Sequence, residues 1–136
     1  METIKLNFLD DKPKNYTGIV EYDNGTLEYF SNGKYHREDG PAIIHSDGSM
    51  WYFLNGLCHR EDGPAEIWND GTISYFLNGK YHREDGPAVI WNDGTLDYYL
   101  NGKEITKEKV NKWIKENNIP KVWSNSDKIL FKLTFG

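Results

Sequence analysis

The chain is almost without cysteine: among 136 residues only Cys58 carries a thiol. An internal disulfide is therefore impossible, and such usage fits a reducing compartment. Long apolar runs are missing as well. The stretch METIKLNFLDDKPKN has no hydrophobic segment of signal-peptide length, and nothing further on approaches a membrane span. A cytoplasmic location is expected. Asn15-Tyr16-Thr17 fits the glycosylation acceptor pattern, which means nothing without secretion. Positive charge is scarce over most of the chain. Residues 1–102 hold 8 Lys or Arg against 17 Asp or Glu, whereas residues 103–136 hold 8 Lys against 4 acids. An acidic body with a basic end repels a nucleic-acid backbone along most of its length and disfavours an anionic membrane surface. The glycines sit in turn dipeptides rather than ahead of a helix, so no phosphate-binding loop is present.

What the chain has in quantity is aromatic side chains and repetition. Aromatics make up 15% of its residues. They bury large areas each, so a thin core can serve one domain of this length. The heptapeptide HREDGPA occurs at 36–42, 59–65 and 82–88, at a period of 23 residues. A fixed period of this size sets the architecture. The full units read DNGTLEYFSNGKYHREDGPAIIH, SDGSMWYFLNGLCHREDGPAEIW and NDGTISYFLNGKYHREDGPAVIW, between the half-units YTGIVEY and NDGTLDYYLNGKEI. Each unit holds two turn dipeptides, one of the Asp47-Gly48 kind and one of the Asn55-Gly56 kind. Both tolerate positive φ and suit two-residue hairpin turns. The expected fold is all-β: an elongated antiparallel sheet of hairpin repeats, two strands per unit.

Alternation along the strands predicts two faces. Met50, Tyr52 and Leu54 share one with Ile73, Tyr75 and Leu77, while Phe30, Phe53, Phe76 and Tyr99 point to the other. In the returning strand Trp68 and Trp91 fall opposite Ile67 and Ile90. Both faces of a single layer then carry aromatics, and an uncovered aromatic stripe is a contact surface. The organisation expected is one repeat domain over 1–136: an N-terminal cap strand in 1–16, repeats over 17–103, and a helix and strand as C-terminal cap over 104–136. Thr106 is the expected N-cap of a helix over KEKVNKWIKENN, and KILFKLTFG reads as a last strand. Repeat arrays need atypical ends to seal exposed edges. The helix reads first as such a cap and second as a partner-binding element.

The pattern Y-x-x-N-G-K-x-H followed by D-G at this period resembles the MORN repeat. It is most similar to the variant NGK-x-HREDGPA-V-I-x-x-DGT familiar from phage, bacterial and giant-virus proteins. The resemblance covers residues 17–103. It implies a β-hairpin scaffold for binding or self-association, with no catalytic residues and no cofactor. The variant further implies a phage accessory protein that engages a host factor, in which case the compartment is the host cytoplasm. The usual His-Gly pair is here His-Arg-Glu-Asp-Gly-Pro, so the lipid contact attributed to some MORN proteins carries over poorly.

The charged heptapeptide admits a structural and a functional reading. Equivalent residues in successive units lie two strands apart, roughly 9–10 Å. His36, His59 and His82 cannot converge on one metal at that spacing. Repeated Glu38, Glu61 and Glu84 would sit in equal environments, whereas a catalytic carboxylate pair needs unequal ones. Cys58 and His59 are adjacent, hence on opposite faces of a strand, and Cys58 reads as a small stand-in for Tyr35 and Tyr81. Structurally, Arg-Glu-Asp-Gly-Pro is a bulge in which Asp accepts backbone N–H bonds, Gly supplies an unusual φ and Pro fixes the exit, with Arg paired to acids of the next unit. Functionally, Arg37, Arg60 and Arg83 line a groove for an acidic partner patch or a small anionic ligand.

These observations point to a non-enzymatic binding protein whose partner is another protein. The candidate contact residues are Trp51, Phe53, Trp68, Phe76 and Trp91 with Arg37, Arg60 and Arg83 beside them, since aromatics and Arg dominate interface energetics. Trp51 stands out because Glu28, Ser74 and Asp97 fill the equivalent positions. Sequestration of a nucleotide or sugar, and head-to-tail self-assembly of acidic body on basic end, remain as alternatives.

Overall fold

The computed structural model describes residues 1–136. Fifteen strands and two helices follow in order: β1 Thr3–Leu6, β2 Gly18–Tyr22, β3 Leu27–Ser31, β4 Lys34–Tyr35, β5 Ile43–Ile44, β6 Met50–Trp51, β7 Phe53–Leu54, β8 Leu57–Cys58, β9 Glu66–Ile67, β10 Ile73–Ser74, β11 Phe76–Leu77, β12 Lys80–Tyr81, β13 Val89–Ile90, β14 Leu96–Leu100, β15 Lys103–Ile105, α1 Lys107–Glu116 and α2 Asn125–Phe135. Eleven strands form one sheet in the order β1-β2-β3-β5-β6-β9-β10-β13-β14-β15, with β4 on β3. Two small hairpins, β7-β8 and β11-β12, stand beside it.

The sheet is mixed rather than wholly antiparallel, because the N-terminal strand β1 runs parallel to β2. The inner strands also break where continuity was expected. Regular pairing lapses at Tyr52 and Tyr75, which separates β6 from β7 and β10 from β11. Opposite each of them stands one HREDGPA loop. Tyr52 donates its N–H to Ala65 and accepts from the N–H of His59, so one residue faces both ends of the loop Arg60–Pro64. Tyr29 and Tyr75 meet the loops Arg37–Pro41 and Arg83–Pro87 in the same way. Each HREDGPA segment is thus a strand interrupted by an outward excursion.

The two kinds of turn differ. At Asn32-Gly33, Asn55-Gly56, Asn78-Gly79 and Asn101-Gly102 both residues have positive φ, as a two-residue hairpin turn requires. In the other set only Gly25, Gly48, Gly71 and Gly94 do. There the preceding Asn or Asp side chain accepts from the N–H two residues on, as Asp47 does from Ser49 at 2.8 Å. That set uses the three-residue loop that ends in a left-handed glycine.

Pairing sets two rows across the main sheet. Leu27, Ile44, Met50, Ile67, Ile73, Ile90 and Leu96 lie in one. Glu28, Ile43, Trp51, Glu66, Ser74, Val89 and Asp97 lie in the other, on the opposite face. The buried apolar clusters lie at the two ends, and between them Ile43 and Val89 are buried singly. Val20, Tyr22 and Phe30 form the N-terminal one. Tyr98, Leu100, Ile105, Val110, Trp113, Ile119 and Phe131 form the C-terminal one. Between them the fully buried side chains include Ala42, Ala65 and Ala88, too small to supply much apolar area.

The C-terminal segment KILFKLTF is helix α2, not the strand its alternation predicted. Ser124 and Asp127 form a reciprocal capping box, which satisfies two N–H groups at the helix start. Phe131 and Phe135, one helical turn apart, both pack on Trp113, at 5.4 and 6.1 Å between ring centroids. Helix α1 starts at Thr106 as expected, its hydroxyl accepting from the N–H of Lys109.

Candidate functional site

The conserved geometry of the three HREDGPA loops is internal. In the loop 60–64, Arg60 Nε donates to Asp62 at 3.0 Å, Nη1 donates to the Pro64 carbonyl at 3.0 Å, and the guanidinium lies 4.1 Å from the Tyr52 ring centroid. Arg37 makes the same contacts with Asp39, Pro41 and Tyr29, and Arg83 with Asp85, Pro87 and Tyr75. The arginines therefore pair with acids of their own unit, two residues on, rather than with those of the next. The glycine is there for room, not for an unusual φ: a Cβ on Gly63 would stand 3.1 Å from Arg60 Cζ, and one on Gly40 2.9 Å from Arg37 Cζ.

Histidine and hydroxyl side chains join each unit to the next. Asn55, Asn78 and Asn101 each donate a backbone N–H at 2.9 Å to Nδ1 of His36, His59 and His82. Ser46, Asn69 and Asn92 donate theirs to the hydroxyls of Thr26, Ser49 and Thr72. Sequence reasoning missed these clamps. Their signal was the strict recurrence of His and of Ser or Thr at turn edges. Glu38, Asp39, Glu61 and Asp62 stay largely exposed on separate loops: Asp39 and Asp62 accept from Arg37 and Arg60, and Glu38 and Glu61 lie 3.6 Å from His36 and His59. No three His, Cys, Asp or Glu side chains gather where they could hold a metal ion.

The aromatic candidates divide into packed and exposed groups. Phe53 belongs to a stack with Phe30 and Tyr35, at 5.3 Å from Tyr35. Phe76 belongs to a second stack with Tyr81 and Tyr99, at 4.3 Å from Tyr81. Cys58, paired with Phe53, interrupts the two. The Tyr35 hydroxyl donates to Glu28, and in the following unit Cys58 and Trp51 take those two places. Where a bulky Trp replaces the Glu, a small Cys replaces the Tyr. Trp51 is half-buried between His45 and Trp68, at 4.2 and 5.1 Å between centroids, and its Nε1 is buried without a hydrogen-bond partner. Trp68 and Trp91 are the exposed ones, at 39% and 44%. They follow β9 and β13, two strands apart, and Trp91 donates Nε1 to Asp97 at 2.7 Å.

Burial shapes the charges behind this face. It raises the Glu66 carboxyl, against a lowering influence of the neighbouring Trp68 indole. It pushes the Cys58 thiol up to about 12, which makes that sulfur a poor nucleophile. At the N-terminal end Lys12 meets Glu28 and the Tyr35 hydroxyl at 3.0 Å each, and Tyr22 donates to Glu28 at 2.6 Å. Burial first, then the bond to Glu28, carries Tyr22 up to about 12. This ion pair closes the open end of the aromatic stack and was not anticipated, because Lys12 lies outside the repeat.

On the other face the loops bound clefts. The larger, about 700 Å³, lies between the loops of Arg60 and Arg83 and is walled on one side by Lys128, Ile129 and Lys132 of α2. The smaller, about 520 Å³, lies between the loops of Arg37 and Arg60. Comparison of the chain with protein-family models, with curated proteins and with solved structures gives no match. No helix is long and apolar enough to cross a membrane.

Proposed function

We propose that this is a non-enzymatic, MORN-like hairpin-repeat protein that presents its aromatic face to a protein partner. The observation that carries the reading is the pair of exposed tryptophans, Trp68 and Trp91, held on adjacent turns of a rigid sheet with Trp51 wedged behind Trp68. Large aromatics anchored this way lose little freedom on binding and contribute most of the energy of an interface. Phe53 and Phe76 belong to aromatic stacks of their own, with Tyr35 and Tyr81. Arg37, Arg60 and Arg83 hold the loops on the opposite side, where their contacts leave fewer donors for a ligand. Sequestration of a small anion is thereby disfavoured, because the first two loops also offer two carboxylates each to solvent. The resemblance to phage repeat proteins makes a host factor or defence protein in the host cytoplasm the partner to look for.

The test is affinity capture of host proteins on the full chain and on a Trp68→Ala/Trp91→Ala variant. Both side chains are exposed, so circular dichroism should be unchanged while the specific partner is lost. Retention of every captured protein by the double variant would overturn the assignment of this face.

A further inference from the structure

The last loop shows how this scaffold accommodates a helix. Lys132 of α2 reaches Glu84 at 3.2 Å, and Lys128 approaches Asp85 at 3.9 Å. The side chains of Glu84 and Asp85 are 45% and 48% exposed, whereas those of Glu61 and Asp62, one unit earlier, are 83% and 86% exposed. Two lysines one helical turn apart thus cover one loop's pair of acids. The preceding pair has no such lysines: Asp62 meets Arg60 of its own loop, Glu61 lies 3.6 Å from His59, and both stay exposed.

A second observation concerns α2 itself. A cap helix facing water on its outer side should be polar there. Instead Ile129 and Leu133, one turn apart, are 61% and 77% exposed. Ile129 borders the same cleft whose far wall carries Glu61 and Asp62, and Tyr75 and Leu77 lie among its other lining residues. Successive loops stand about two strand spacings apart, roughly 9–10 Å, which matches the usual distance between the axes of packed helices.

We infer that this cleft is a docking groove for a basic amphipathic helix of a partner protein. Its cations, spaced i and i+4, meet Glu61 and Asp62 as Lys128 and Lys132 meet the next loop. Its aliphatic side packs on Ile129 and on the Tyr75 and Leu77 side chains that line the same cleft. The groove lies on the face opposite the tryptophans and does not depend on the proposed role of that face.

A fluorescein-labelled synthetic peptide with Lys at i and i+4 on one side and Leu on the adjoining side, shown to be helical by circular dichroism, is the probe. Anisotropy titrations at low salt on the full chain should give saturable binding. Glu61→Lys should weaken it about tenfold, since a favourable exposed pair becomes a repulsive one. Ile129→Ser should weaken it by a similar factor. Glu104→Lys on β15 changes net charge equally but lies outside the groove, and should weaken binding less than about twofold. The Trp68→Ala/Trp91→Ala variant should bind as the native chain does. Absence of binding, equal losses for Glu61→Lys and Glu104→Lys, indifference to Ile129→Ser, or loss in the tryptophan variant would each overturn the inference.

Discussion

Arg60→Lys separates a stacked, forked guanidinium from a surface charge. Arg60 sits 4.1 Å from the Tyr52 ring centroid and donates to both the Asp62 carboxylate and the Pro64 carbonyl, with its side chain 23% exposed. A cation on an aromatic face contributes about 1 kcal/mol when partly shielded. A charge-assisted bond to a carbonyl contributes about 1.5 kcal/mol, and the bond to an exposed carboxylate about 0.5 kcal/mol. Ordering a long side chain offsets about 1 kcal/mol of this. Arg60→Ala should therefore destabilise by about 2 kcal/mol. Lysine keeps the charge but cannot lie flat on the ring and serve both acceptors, so Arg60→Lys should still cost about 1–1.5 kcal/mol.

Urea unfolding followed by tryptophan fluorescence measures both. Gly63→Ala supplies a coupled test, because its Cβ would stand 3.1 Å from Arg60 Cζ and the backbone there is not left-handed. Alone it should cost about 1 kcal/mol by displacing the guanidinium, and in the Arg60→Ala background close to nothing. If Arg60→Lys falls within about 0.5 kcal/mol of the native chain, as ordinary surface exchanges do, or if Gly63→Ala costs the same in both backgrounds, the loop is not built on its arginine.

Glu66→Gln should alter the pH dependence of stability. Burial raises the folded carboxyl's pKa, so the native state holds its proton more tightly than the unfolded chain does, and stability falls as pH rises through that window. The groups around it are Trp51 and Ser74 across the strands, Trp68 just after its own strand, and Cys58 and Tyr81 from the small hairpins. The amide removes the penalty, so the thermal midpoint should rise at pH 7 and the gain should vanish below about pH 4, the unfolded carboxyl's range. A gain that persists at pH 3, or none at pH 7, contradicts the burial. Cys58→Tyr restores the residue found at Tyr35 and Tyr81 but leaves Trp51 in place, and should cost about 1–3 kcal/mol by overpacking. Trp51→Ser combined with it copies the Ser74 and Tyr81 pairing, and chemical denaturation should show the pair of changes costing less than the sum of each alone.

Much of the sheet could be read from the chain because its signals are local. Asn-Gly needs positive φ at both positions, and alternation assigns Ile43 and Ile44 to opposite faces without reference to anything distant. What could not be read depends on partners far off in sequence. The excursion at Arg60–Pro64 is fixed by one residue, Tyr52, that pairs with both of its ends. The glycine in it answers to the bulk of a guanidinium rather than to backbone conformation. In α2, Ile129, Phe131, Leu133 and Phe135 alternate as a strand would. Only Phe131 is fully buried there, and the deciding features are the Ser124–Asp127 box and the aromatic surface of Trp113. Trp51 reads as a contact residue because it departs from the repeat, and the structure places it half-buried between His45 and Trp68.

Those outcomes indicate where binding capacity can lie on a stacked array. A side chain that recurs in every unit and bonds to the next unit, such as His59 to Asn78, cannot be lent to a ligand without loosening the stack. Recurrence combined with inward contacts therefore marks structure. Capacity is left in positions that recur but stay exposed, such as Glu61, and in those where exposure exceeds what the fold requires, such as Trp68, Trp91, Ile129 and Leu133. The first pair of apolar exposures lies on the aromatic face and the second on the terminal helix, beside an uncovered pair of acids. A repeat scaffold that spends its charged heptapeptide on holding its own loops can still offer two unlike surfaces, because stacking consumes only the side chains that point along the array.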